Sequence, residues 1–377
     1  MMDPQPRADS GGMSQTAEAG LPPLYAPWLR EVTGGPIPGE TKATCDHCVM
    51  LPSPGSPPDA VYFHPATKCC AYQPDLPNFL AGRILNDADP SMAEGRASLE
   101  RRIESRVAVT PSGAGSGGVF KLLYGNTPQV FGRAPALRCP YLTPEGGCGV
   151  WRHRPGVCAT WYCKHVRGAS GHRFWKLADK LLREVESELS LWCLAELHTG
   201  AAELANLAPE RRDRPDVSEL DGEIDVPRYR KLWGEWEGRE AEFYRACAGL
   251  VEPLSWERVQ GICGPRVRVL AGLVRDAYEN LVSDAIPERL KLGDVRLAGT
   301  AEGKLRIAAY SEYDPLLIPQ KLAAVLGYFD GRPTEDALAA ILSEHGLSLQ
   351  PALVRRMLDF GVLAACERPG AGPFPIL

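Results

Sequence analysis

Cys139-Pro-Tyr-Leu-Thr-Pro-Glu-Gly-Gly-Cys148-Gly-Val-Trp-Arg-His-Arg-Pro-Gly-Val-Cys158-Ala-Thr-Trp-Tyr-Cys163 is the stretch from which the chain is best read. Four thiols fall within it, and four more stand upstream at Cys45, Cys48, Cys69 and Cys70. Thiolates are soft ligands that suit zinc and iron. Clustered cysteines in a chain with no export signal point to metal before disulfides. Metal binding is the first expectation, and the chemistry it serves is the harder question.

The bulk composition bounds the answer. A chain of 377 residues is too long for one ordinary core, so two or three domains are expected. With 44% hydrophobic and 24% charged residues it has the make-up of a globular protein. The 34 prolines and 38 glycines point to long ordered loops. A net charge of −5 gives no global basic field for nucleic acid or an anionic membrane. The opening Met-Met-Asp-Pro-Gln-Pro lacks the pattern of a signal peptide, and no stretch has the ~20 apolar residues of a membrane span. A reducing cytoplasm is the expected location, with no membrane partner.

Taken in order, residues 1–20 read as a disordered tail. Leu21 to Gly39 mixes prolines with Leu24, Tyr25, Trp28 and Leu29, and reads as an extended arm on the body. Short helices are expected from Leu76 to Leu85, with Pro77 near the start, and from Pro90 to Arg106, capped by Asp89 or Ser91. The run from Pro111 to Gly118 lacks the Gly-Lys-Ser/Thr of a phosphate-binding loop and reads as plain linker. Phe174 to Leu197 has helical periodicity, with Gly200 as a stop. After a charged linker from Arg211 to Pro227, Tyr229, Trp233, Trp236, Phe243, Cys247 and Leu250 lie on one helical stripe. Such a stripe is core far more often than a ligand box. Another helix begins near Pro265.

From Arg289 the period changes. Leu290, Leu292, Val295, Leu297, Leu305 and Ile307 flank a turn from Gly299 to Gly303 and read as a hairpin. Helices are expected over Gln320 to Phe329, Thr334 to His345 and Pro351 to Phe360, with Asp330-Gly331 separating the first two. Thr334, Glu335 and Asp336 suit a helix start, and Gly346 and Gly361 suit stops. The matching positions Leu326, Phe329 to Thr334, Leu338, Ile341, Val354, Leu358, Val362 and Leu363 resemble the winged-helix peptide-recognition modules similar to the coenzyme-PQQ chaperone, PqqD. That resemblance implies a peptide or protein partner. From Pro319 onward five basic residues face six acidic ones, and the last helix offers only Arg355 and Arg356 to a phosphate backbone, so nucleic acid is not expected.

The cysteines themselves leave choices open. Cys45-x-x-Cys48 has knuckle spacing, although a redox pair has the same form; the βαβ setting of a redox pair is missing. Adjacent Cys69 and Cys70 diverge, so either one is a ligand and its neighbour is buried, or the two serve different metals. His47, His64, His153 and His165 are alternative ligands, His47 and His165 the best placed. Cys193, Cys247, Cys263 and Cys366 read as small buried hydrophobes. Two four-thiolate zinc sites use all eight ligands, while an iron–sulfur cubane needs four.

The order Cys-x-x-Cys, Cys-Cys, Cys139-Pro-Tyr-Leu, Cys148-Gly-Val-Trp, Arg154-Pro155, Cys158, Cys163 resembles the YkgJ-type cysteine-cluster family of zinc- or iron-chelating domains. The likeness runs from Cys45 to about Cys163 and implies that Cys45, Cys48, Cys69, Cys70, Cys139, Cys148, Cys158 and Cys163 are the metal ligands. This chain departs from the pattern by 20 residues, Val49 to Lys68, inserted between Cys48 and Cys69. It is therefore open whether Cys45 and Cys48 join the same centre. The same pattern, by resemblance, occurs in flagellin lysine methylases.

The expected fold is α+β and mostly helical, with a disordered tail at 1–20. A loop-rich cysteine-cluster metal domain is expected at 21–200, a helical region at 201–287 and a winged-helix-like module at 288–377. The expected function is an iron–sulfur or zinc protein that acts on or recognises a peptide or protein. A protein-modifying enzyme similar to the cysteine-cluster methylases and a metal-dependent regulator are the alternatives. Neither a glycine-rich S-adenosylmethionine motif nor a Cys-x3-Cys-x2-Cys radical signature is present.

Overall fold

A computed structural model describes residues 20–42, 44–45, 48–53, 62–199, 222–301 and 303–366. The expected tail, Asp46, His47, Gly200 and most of the charged linker lie outside the described residues. The fold is α+β and mostly helical.

The first element corrects the expected arm. Tyr25–Thr33 is a helix, α1, closed by Gly34 in the left-handed region. Tyr25, Trp28, Leu29 and Val32 recur every three to four residues and are all buried, so the prolines at 22 and 23 precede the helix and leave it intact. α1 is fastened to distant chain by Trp28 Nε1, which donates to the Leu254 carbonyl at 3.1 Å.

Leu76–Pro77 forms strand β1 and leads into α2, Asn78–Asn86. A 3-10 turn, Pro90–Met92, whose Ser91 N–H is capped by Asp89, opens α3, Ala93–Ser105. Val109–Thr110 and Gly113–Ala114 are β2 and β3, and the three short strands pair antiparallel in the order β1-β3-β2. The segment expected as plain linker is thus a buried hairpin. Gly113, at φ 147°, permits it: a Cβ there would lie 2.0 Å from the Leu76 carbonyl oxygen across the ladder. α4 follows at Gly118–Asn126 and α5, a single turn, at Gly156–Ala159.

α6, Gly168–Leu197, is 30 residues long, which makes it about 45 Å from end to end. It buries Phe174, Ala178, Leu181, Val185, Leu189 and Cys193 along one face. The aromatic stripe expected on one helix is divided between α7, Val226–Trp233, and α8, Glu240–Val251. Gly234 and Gly238, both at positive φ, turn the chain between them, so periodicity alone overran a break. α9, Trp256–Cys263, was not foreseen; α10 is Pro265–Val282. Residues from Leu24 to Leu194 and from Tyr229 to Leu281 share one core, so the boundary expected at residue 200 does not separate two cores. Cys193, Cys247 and Cys263 are buried in this core, and Cys193 Sγ donates to the Cys247 carbonyl at 3.8 Å.

β4, Arg289–Leu292, begins a second core. β5, Arg296–Ala301, β6, Lys304–Ala308, and β7, Leu316–Pro319, form a meander. Leu290 and Leu292 therefore lie outside the expected hairpin, in a separate sheet of order β8-β4-β9. Gln320–Tyr328 is a 3-10 helix, with Leu322 and Val325 buried at the three-residue period that geometry favours. Asp330-Gly331 belongs to strand β8, Asp330–Pro333, where it was expected only as a separator. α11, Thr334–His345, ends at Gly346 in the left-handed region; α12, Pro351–Asp359, and β9, Leu363–Ala365, complete the chain. Thr334 does not cap α11 with its side chain; its hydroxyl donates to the Pro287 carbonyl at 2.9 Å.

The two cores meet over a buried charge cluster. Asp359 accepts from Arg355 Nε at 3.1 Å and from Arg167 Nη2 at 3.0 Å. Arg355 also donates to the Ala285 and Asn280 carbonyls, and Arg167 to that of Ser283. Asp359→Ala would leave the buried Arg355 guanidinium without its anion and Arg167 with only the exposed Asp284. The expected loss is about 3–5 kcal/mol in chemical denaturation, while an exposed ion-pair variant such as Glu242→Ala costs about 1 kcal/mol or less.

Candidate metal centre

Each loop that carries a cysteine is shaped by local hydrogen bonds. Thr67, Lys68 and Cys70 N–H groups close successive turns onto His64 and Thr67 carbonyls, bringing Cys69 and Cys70 round together. Lys68 takes φ 50°, a strained value for a side chain with a Cβ. Its Nζ donates to the Cys45 carbonyl at 2.8 Å and the Gly146 carbonyl at 3.4 Å. One lysine thus laces the loop of the first cysteine pair to the loop before Cys148.

The downstream cysteines flank a tight turn. Leu142 and Cys148 bridge antiparallel, Gly149 N–H donates to the Tyr141 carbonyl at 2.8 Å, and Thr143 N–H donates to the Gly147 carbonyl at 2.9 Å. At both ends of this turn a backbone N–H two residues on donates to the sulfur: Tyr141 to Cys139, and Val150 to Cys148. Such N–H···S bonds favour a thiolate and tune any metal it holds. Cys158 sits on α5 and Cys163 in the bend before α6, where Trp161 also bonds to the Cys163 sulfur.

The upstream and downstream halves meet where Cys139 N–H donates to the Cys70 carbonyl at 2.7 Å. The thiols then sort by their electrostatic neighbours. Burial pushes Cys139 up to about 12, with Cys70 and Cys148 adding to the rise. Burial pushes Cys148 up to about 11, and Cys70 contributes again. Cys158 is raised well above the usual thiol range by burial and then by Cys139, Cys148 and Cys70. Cys70, Cys139 and Cys148 thus act on Cys158, and Cys45 also reaches Cys148. Cys163 is raised by burial to about 11, with Cys48 and Cys45 nearby, and Cys69 feels Cys45 and Cys163. Cys45 is therefore a neighbour of both sets of thiols.

Cys69 and Cys70 connect the groups. The Cys69 thiol donates to the Cys70 sulfur, which raises Cys69 and lowers Cys70; Lys68 adds to the lowering. The two adjacent sulfurs therefore face each other, against the expectation that they diverge. Among the described residues no three His, Cys, Asp or Glu side chains stand ready as a ligand set at metal-holding geometry. What fits a metal is the donor set: eight soft sulfurs from four loops, sulfur-directed N–H groups and nearby cations.

Residues not singled out as ligands support the centre. Arg154 is 4% exposed, lies 3.6 Å over the Trp151 ring, and donates to the Trp151 carbonyl at 2.7 Å and to the Cys158 carbonyl at 3.4 Å. Its charge acts on Cys148 and Cys158, offsetting clustered negative charge on thiolates. The Arg-Pro step before Cys158 was the available sequence signal. The histidines fare less well as ligands. His153 Nε2 pairs with Asp87 at 2.8 Å, and His64 Nδ1 accepts from Ala66 N–H within its own turn. His165 lines a neighbouring cavity, and burial together with His172 holds it down to about 4.

In comparisons with known proteins, no family model, curated protein or solved structure matches this chain.

A buried carboxyl sets the position of α5. Glu186 accepts from Gly156 N–H at 2.6 Å and from the Tyr25 hydroxyl, joining α1, α5 and α6 two residues from Cys158. Burial raises its pKa to about 7. The folded state then holds a proton that the unfolded chain releases near the ordinary carboxyl value. Stability is fullest below that value and falls as pH rises toward 7, by about 3 kcal/mol in all, with no further change from this group above it. Glu186→Gln keeps an acceptor for both donors and abolishes that slope. Denaturation midpoints from about pH 5 to about pH 8 should show the variant gaining on the parent as pH rises.

Proposed function

We propose that this chain is a metalloprotein whose eight thiols hold zinc or an iron–sulfur centre in two groups. Cys70, Cys139, Cys148 and Cys158 form one, and Cys45, Cys48, Cys69 and Cys163 the other. The observation that supports this reading is the backbone bond from Cys139 N–H to the Cys70 carbonyl, which brings the upstream and downstream cysteine segments side by side. Four thiolates gathered at one centre repel one another, and a cation between them removes that repulsion. The YkgJ-type cysteine order accords with the same eight residues. In this reading the centre ties the N-terminal loops to the helical body as a staple or as a redox sensor.

The chain from residue 288 is read as a winged-helix-like module that recognises a peptide or protein. Supporting a protein partner over a nucleic-acid one, Arg355 is buried and committed to Asp359, so the last helix offers Arg356 alone of its two arginines. No helix among the described residues is long and apolar enough to cross a membrane.

The protein purified without oxygen should carry stoichiometric metal. Iron–sulfur occupancy would give visible charge-transfer bands, and zinc a colourless protein. Cys158→Ser should release metal from its group and destabilise the fold, whereas Cys263→Ser, in the helical core, should retain full metal. Equal metal content in the parent and Cys158→Ser proteins would refute the ligand role.

A further inference from the structure

Beside Cys163 lies a cavity of about 400 Å³, within the size range of small-molecule sites. We infer that it binds an aromatic anion, a small molecule with a planar ring system that carries a carboxylate or a phosphate. The site does not depend on which metal the cysteines hold.

Its walls are unusually rich in rings. Phe63 meets Phe131 edge-on at 5.5 Å between centroids, Phe131 meets Trp161 at 5.6 Å, and Tyr162 meets Trp175 at 4.8 Å. Tyr313, from the second core, faces the same space and is half exposed. Large apolar ring faces around an open cavity are what a planar ligand covers by stacking and edge contacts.

The polar lining selects the sign of the ligand. Arg133 and Lys176 stand exposed at the cavity edge, and neither has a carboxylate partner in an ion pair among the described residues. Lys176 Nζ lies 5.2 Å from the Trp161 ring centroid, so its charge is held over an aromatic wall. The carboxylate in the lining, Asp179, is already engaged by Arg183 Nε at 2.9 Å. Behind Tyr310, Asp314 accepts the Tyr310 hydroxyl and lies 3.5 Å from Lys42 Nζ, so it too is matched by a cation. The cavity therefore offers positive charge with its acids already paired.

Two more rings close the far wall: His165 and His172 pack edge to face at 5.2 Å beside Tyr310.

Calorimetry on the full chain, purified with its own metal, tests this with 1-naphthoate and 1-naphthyl phosphate. At least one should bind with a one-to-one stoichiometry, and the stronger of the two identifies the anionic group. Cyclohexanecarboxylate, which lacks the ring face, and 1-naphthylmethylamine, which reverses the charge, should each bind at least about tenfold more weakly. Lys176→Met and Arg133→Met, both at exposed positions, should each weaken the better probe by about tenfold, as expected for loss of a charge-assisted contact. Absence of binding by both naphthyl anions at millimolar concentration would overturn the inference. So would equal binding of the amine, or affinity unchanged in both Lys176→Met and Arg133→Met.

Discussion

A single backbone hydrogen bond, from Cys139 N–H to the Cys70 carbonyl, joins chain segments separated by 68 residues and brings the two halves of the cysteine cluster together. Everything proposed for the thiols depends on that meeting. Both sides of the bond are held by local turns. A run of turns from His64 fixes Cys69 and Cys70, and a 3-10 turn at Pro135–Leu137 delivers Cys139. Lys68 then reaches across to the loops of Cys45 and Cys148, and its left-handed backbone is the strain that geometry requires. The adjacent thiols Cys69 and Cys70 stand at that meeting point, hydrogen-bonded to each other.

The loops have little apolar area of their own, so the helical core must hold them. Glu186 on α6 performs part of that task by binding the α5 backbone beside Cys158 and the Tyr25 hydroxyl of α1. At the other end of the cluster, the bend at Cys163 runs directly into α6, and the start of that helix is fixed by Arg167 on Asp359. One long helix therefore carries the cysteine loops, the buried carboxyl and the contact with the second core. A buried ion pair sits at one of these joints and a buried, proton-holding carboxyl at the other, and removing either leaves its partners without a buried contact.

Much of the site could be read in the sequence because cysteine spacing is local information. The bond from Cys139 N–H to the Cys70 carbonyl joins the upstream and downstream cysteine segments that spacing had paired, and Cys193, Cys247 and Cys263 are buried as small hydrophobes. The supporting groups were harder to read. Arg154 and Glu186 act through burial and long-range partners, and a sequence shows neither. The errors in the fold have similar causes. The prolines before Tyr25 masked a helical period, and Gly113 in a glycine-rich run gave no sign of its close approach to Leu76. The aromatic stripe after Val226 continued in phase across a glycine break, so the period held while the helix did not. The order of strands after Arg289 depends on which strand pairs with which, and alternation alone leaves that choice open.

X-ray absorption at the edge of the bound metal tests the convergence of the thiols most directly. For two four-thiolate groups the first shell should be all sulfur, with about four sulfurs per metal at about 2.3 Å if the ion is zinc. An iron–sulfur centre should add a metal–metal distance to a sulfur shell. A first shell dominated by nitrogen or oxygen would contradict this picture of the cluster.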